Sequence, residues 1–265
     1  MKFEIQDKVA IVTGGASGIG HCIVEALIER GIKGVVIADI NEELGRKVTK
    51  ELNNKCGSTK IVFHKTDVSK KEDFERVFES AIKNFKHIDI LFNNAGVFNE
   101  INWEKCLNTN LKGVINGSLL AVEKYFKNHK IGNEAVIINT CSVAGLMALP
   151  GMPIYCASKA AIIKLTECFG QAHYYNLSKT KVIAICPGKT ETPMLDIGNL
   201  VRPDQQSLGE STVECFDGQS PDFLANEAMS LVQQAPTGSI WIIEEAKPAY
   251  RYISADKDSF KKNTL

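Results

Sequence analysis

Seven short runs rich in Val and Ile punctuate this chain, at residues 9–12, 35–38, 61–63, 88–92, 135–138, 182–185 and 240–243. They are almost continuously apolar, which marks strands covered on both faces rather than strands with one wet side. The stretches between them carry helical periodicity. Phe74, Val77, Phe78, Ala81 and Ile82 recur at spacings of three and four, so they share one helix face. Strands alternating with helices lead to an α/β fold: a parallel seven-stranded sheet with helices on both faces. No repeat, low-complexity tract or Pro/Ser linker interrupts the 265 residues, so one domain over 1–265 is expected. The irregular stretch 196–221 is read as a segment covering the substrate, with Met194, Leu195, Leu200 and Phe216 as candidate apolar lid residues. Residues 254–265 read as a polar tail.

Composition removes several function classes. The 31 basic residues balance 31 acidic ones, which favours neither nucleic acid nor an anionic membrane as partner. No run approaches the ~18 apolar residues of a membrane span. The first eight residues contain no apolar signal core, so a cytoplasmic location is expected. Eight cysteines without any C-x-x-C pairing read as buried, reduced thiols. Five histidines show no ligand spacing, and no metal site is expected.

The first strand runs into Thr13-Gly14-Gly15-Ala16-Ser17-Gly18-Ile19-Gly20, and a helical stretch follows. Glycines here let the strand turn sharply, bring backbone close to a pyrophosphate and pack helix on sheet. The helix start then offers free N–H groups to phosphate. This is the phosphate loop of a Rossmann-type doubly wound fold. Asp39 ends the second strand 19 residues after Gly20, where a carboxylate can bind adenosine ribose hydroxyls and repel a 2′-phosphate. Asn41 is free to cap the next helix in its place. NAD is therefore expected in preference to NADP.

Tyr155 and Lys159 lie four apart on one helix face. A phenol, with a pKa of about 10, is a poor base at neutral pH, and a nearby ammonium stabilises its ionised form. Such a pair can take a hydroxyl proton. Ser142 follows the fifth strand, on the sheet edge where ligands bind in open α/β folds.

Taken in order, these motifs resemble the short-chain dehydrogenase/reductase family. The likeness includes Asp67-Val68, Asn93-Asn94-Ala95-Gly96, Asn110-Leu111 and Pro187-Gly188 with Thr192, and covers residues 8–195. It implies a role for each residue. Tyr155 is the acid/base, Lys159 lowers its pKa and holds the nicotinamide ribose, and Ser142 binds the substrate oxygen. Asn110 anchors a water that relays protons. Gly14, Ser17, Gly18, Ile19, Gly20, Asp39, Ile40, Asp67, Val68, Asn94, Ala95 and Gly96 hold the nucleotide. Pro187, Gly188, Thr190 and Thr192 close over it, while Lys189 and Glu191 are read as solvent-facing.

The stretches 98–105, 144–147 and 185–188 are similar to the 15-hydroxyprostaglandin dehydrogenase group within that family. That likeness implies NAD-linked oxidation of a secondary allylic alcohol by a homodimer. Met152 is a departure, standing where that group has a glutamine for the substrate hydroxyl. A thioether is an apolar wall, so a small apolar alcohol or ketone, lipid- or terpenoid-like, is the expected substrate. A carbonyl reductase and a non-catalytic binding protein are the alternatives.

Overall fold

Every residue of β1 (Val9–Thr13) is buried, as its unbroken apolar run requires. The structure, a computed structural model, describes residues 2–195, 201, 207–208, 211 and 216–254. The other strands are β2 (Gly34–Asp39), β3 (Ile61–Lys65), β4 (Ile90–Asn93), β5 (Ala135–Thr140), β6 (Thr180–Pro187), β7 (Ile240–Ile243) and β8 (Tyr250–Tyr252). They form one sheet in the order β3-β2-β1-β4-β5-β6-β7-β8. The first seven strands are parallel, and β8 pairs antiparallel with β7.

The sheet therefore has eight strands where seven were expected, and it is not wholly parallel. Tyr250-Arg251-Tyr252 is too short and too exposed to show as an apolar run. An antiparallel edge strand needs only a tight turn before it, here with Glu245 and Ala246 at positive φ. Most of the expected covering segment 196–221, Leu200 included, and residues 255–265 of the expected tail lie outside the described residues.

Alternation along each strand sends successive side chains to opposite cores. Val12, Ile37, Phe92 and Ile138 meet α1 (Gly18–Glu29), α2 (Glu42–Cys56) and α7 (Pro221–Gln234). Ile11, Val36, Leu91 and Ile137 meet α3 (Lys71–Phe85) and α4 (103–129). Helix α5 (Pro153–Phe169) follows β5, and α6 (Ala172–Ser178) leads into β6. Local chemistry sets the boundaries. Asn41 caps α2 by accepting from the Leu44 N–H at 3.1 Å, and Gly57 ends it at φ +62°. Ser220 caps α7 ahead of Pro221. Helix α4 widens into π turns at Asn108–Lys112 and Leu120–Tyr125, a local departure often found near functional sites. Strand order reverses between β1 and β4, which opens a crevice at their carboxyl ends.

Candidate active site

The crevice holds a cavity of about 400 Å³, running from Asp39 and Ile40 past the glycine loop to Tyr155 and Lys159. At one end the glycine positions of the loop leave no room for side chains. Gly18 has φ +52°, and a Cβ on Gly20 would lie 2.1 Å from the Gly14 carbonyl oxygen. Ser17 precedes α1 without spending its side chain on a cap. The Asp39 carboxylate accepts from the Ala16 N–H at 3.1 Å and the Asn41 N–H at 3.0 Å, tying the strand end to the loop. Thr13 fastens the opposite wall: its hydroxyl oxygen accepts from the N–H groups of Asn94 and Ala95, each at 2.9 Å.

At the other end three elements converge. Ser142, at the end of β5, starts a short 3₁₀ turn (Val143–Gly145) and accepts from the Ala144 N–H at 3.1 Å. Tyr155 and Lys159 come from the first turns of α5. Lys159 Nζ lies 5.5 Å from the Tyr155 ring centre and donates to the Thr140 carbonyl at 3.0 Å. Lys159 is only 4% exposed, and burial depresses its pKa. Burial also pushes the Tyr155 phenol well above its ordinary value, while a hydrogen bond with Ser142 works the other way. Without a cofactor, then, desolvation outweighs the Ser142 hydrogen bond and the phenol is raised, the reverse of what the four-residue spacing alone implies.

Beyond Tyr155 the wall turns apolar: Phe98, Val143, Ala144, Leu149, Met152 and Phe216. Val201 packs onto Phe98, Ala144 and Met152. A glycine-rich loop, a strand-end acid and a Ser/Tyr/Lys cluster thus share one doubly wound sheet. The short chain dehydrogenase model matches residues 8–199. The chain belongs to that family.

Among its relatives is 15-hydroxyprostaglandin dehydrogenase [NAD(+)] of Bos taurus, 40% identical over 92% of this chain and 93% of the relative. Alcohol dehydrogenase 1 of Ceratitis cosyra is 35% identical over 72% of this chain and 73% of its own length. A solved short chain dehydrogenase/reductase from Burkholderia phymatum, in complex with NAD, superposes with a TM-score of 0.75 at 25% identity, covering 87% of each chain.

In this short chain dehydrogenase, Gly14, Ser17, Gly18, Ile19, Asp39, Ile40, Asp67, Val68, Asn94, Ala95, Gly96, Ser142, Met152, Tyr155, Lys159, Pro187, Gly188, Thr190 and Thr192 all face the cavity. Gly20 stands behind the glycine loop. Asn110 is fully buried on the first π turn of α4, where its amide clamps Val97, accepting from the N–H at 2.8 Å and donating to the C=O at 2.9 Å. Met194 and Phe216 line the cavity, whereas the side chains of Leu195 and Leu200 are outside the described residues. Lys189, read as solvent-facing, is instead half-buried in the cavity wall, while Glu191 is exposed.

Residues passed over in the sequence include Thr140, Thr109 and Lys105. Thr140 acts on Lys159 through its carbonyl oxygen, which no side-chain pattern signals. Lys105 and Thr109 reach the cavity from the first turns of α4. No helix among the described residues is long and apolar enough to cross a membrane.

Proposed function

We propose that this protein is an NAD-dependent dehydrogenase, a single catalytic domain that oxidises a secondary alcohol, allylic ones included, on an apolar lipid- or terpenoid-like substrate to the ketone. One observation carries the reading: Tyr155 lines a cavity that runs from the glycine loop and Asp39 to an apolar wall, with Ser142 hydrogen-bonded to its phenol and Lys159 beside its ring.

The residues fit NAD. Gly14 and Gly18 keep the loop free of side chains at two positions where a pyrophosphate would approach, and the Asp39 carboxylate occupies the far end, where it disfavours a 2′-phosphate. Ser17, Gly18 and Thr192 would hold the phosphates, and Lys159 the nicotinamide ribose. Bound NAD would supply the hydride acceptor and, in its oxidised form, a positive charge.

The chain's own residues manage the proton. Ser142 orients the substrate oxygen, and ionised Tyr155 accepts the hydroxyl proton as hydride leaves the carbinol carbon, giving ketone, reduced cofactor and a protonated phenol. Lys159 stabilises the phenolate. The Asn110 side chain, spent on Val97, holds the loop after β4 beside the site. Met152, Phe98 and Leu149 exclude water and accept an apolar substituent. The homodimer and the cytoplasmic location implied by the family likeness complete the proposal.

The test is a panel of primary and secondary alcohols with NAD and NADP, followed by NADH absorbance. We expect apolar secondary alcohols with NAD to give the highest kcat/KM. The rate should rise with pH, because the active form is the phenolate. Tyr155→Phe should bind NADH normally yet lose roughly two to four orders of magnitude of activity, the usual scale of acid/base catalysis. Near-normal turnover by that variant refutes the mechanism.

A further inference from the structure

We propose that Glu100, in the loop after β4, is a positioning residue that holds Tyr155 in register by capping the start of α5. The starting point is a helix that cannot cap itself. Its N-cap position is Met152, whose thioether accepts no hydrogen bond from the first turn, and its first residue is Pro153, which has no N–H. The first amides needing a partner are those of Ile154 and Tyr155. Both are satisfied by one carboxylate. Glu100 Oε2 accepts from the Ile154 N–H at 3.1 Å, and Glu100 Oε1 accepts from the Tyr155 N–H at 2.8 Å.

Glu100 is 3% exposed. A carboxylate is rarely buried so fully without a partner. Here the partners are two backbone donors at the positive end of a helix, an arrangement in which a carboxylate is favoured both by hydrogen bonding and by the dipole. The same loop also touches the phenol's ring. Phe98 meets Tyr155 edge-on, with ring centres 5.5 Å apart at 68°.

The loop is itself held from α4 and by a bond within it. Asn110 clamps Val97 from α4, and Asn99 accepts from the Asn102 N–H at 2.6 Å. Backbone and ring of Tyr155 are thus set by a segment some 55 residues earlier in the chain. Helix α5 alone fixes the Tyr155–Lys159 spacing. Glu100 fixes where that pair sits against Ser142 and the substrate oxygen.

This inference rests on the proposed dehydrogenase reading, so its test includes a readout that does not need turnover. Glu100→Ala and Glu100→Gln are made in the full chain, each alone and with Tyr155→Phe. We expect Glu100→Ala to lower kcat by about 100-fold, the scale of a small misplacement of a reacting group, with alcohol KM and NADH affinity unchanged. Glu100→Gln keeps one acceptor oxygen and should lose less. In the Tyr155→Phe background Glu100→Ala should have no further effect, because the group it positions is already gone.

Hydrogen exchange at the Ile154 and Tyr155 amides should accelerate in Glu100→Ala while the rest of α5 stays protected. An unchanged kcat, an equal loss in the Tyr155→Phe background, or unchanged exchange at those two amides overturns the proposal. If the wild type oxidises no alcohol on the panel, the dehydrogenase reading fails, and amide exchange alone decides whether Glu100 holds Tyr155.

Discussion

Asp39 has two tasks that a single carboxylate can perform only at the end of β2. Its oxygens tie the Ala16 and Asn41 amides together, and the group faces the cavity beside Ile40, which is 64% exposed. Replacing it by Ser loosens the glycine loop and removes the charge opposed to a 2′-phosphate. A hydrogen bond to a charged group contributes roughly 1.5–3 kcal/mol, so we expect Asp39→Ser to weaken NADH binding by at least about tenfold. NADPH should bind more tightly than to the wild type. Fluorescence titration with both nucleotides measures this. Equal weakening of the two would mean that Asp39 acts only on the loop.

Among the elements, the docking of the 3₁₀ turn onto α5 brings Ser142 to Tyr155. Gly145 closes that turn directly against the helix. A Cβ there would lie 2.7 Å from the Lys159 carbonyl carbon and 2.9 Å from its oxygen, both backbone atoms that cannot swing aside. Gly145→Ala should therefore destabilise the fold by about 1–3 kcal/mol, as overpacking does, and also lower kcat by moving Ser142 off the helix. Gly57 is the control. It sits at φ +62° with nothing near its Cβ direction, so Gly57→Ala strains α2's end by about 1–2 kcal/mol and leaves kcat unchanged. Urea unfolding and turnover of both variants separate a lost contact from general weakening.

At the scale of the whole molecule the site is held against the fold's own preference. Lys159 is buried in the cleft with one hydrogen bond, to Thr140, and its pKa is depressed by desolvation. Between that depressed value and the unfolded value near 10.4, the unfolded chain binds the extra proton, so this group's contribution makes stability rise with pH. Below that window the buried charge weakens the fold. Lys159→Met removes the charge and keeps the packing. We expect it to raise the cofactor-free melting temperature near neutral pH by about 2–4 °C, corresponding to ~1 kcal/mol, while activity is lost and NADH binds more weakly. A lower melting temperature would show that the Thr140 hydrogen bond outweighs the desolvation.

Periodicity and motif determined much by themselves. Unbroken apolar runs of Val and Ile can sit only in a sheet covered on both sides, and seven of them between helical stretches specify the doubly wound arrangement with its crevice. The glycine loop, Asp39 and the Tyr155–Lys159 pair are legible because each is local: a turn, a strand end, one helical turn. Tertiary structure decided what depends on contacts between distant segments. The antiparallel β8 is too short to carry a pattern, and its pairing comes from the edge that β7 leaves open. Lys189 entered the cavity wall because of where the chain after β6 runs, which its charge did not reveal. Asn110 turned its amide to Val97. Burial raised the phenol's pKa where the Tyr155–Lys159 spacing implied a lowering, since desolvation depends on every neighbour at once. Glu100 lies in the stretch 98–105, whose likeness to relatives assigns it no task, and only the close approach of the loop after β4 to the start of α5 buries it there.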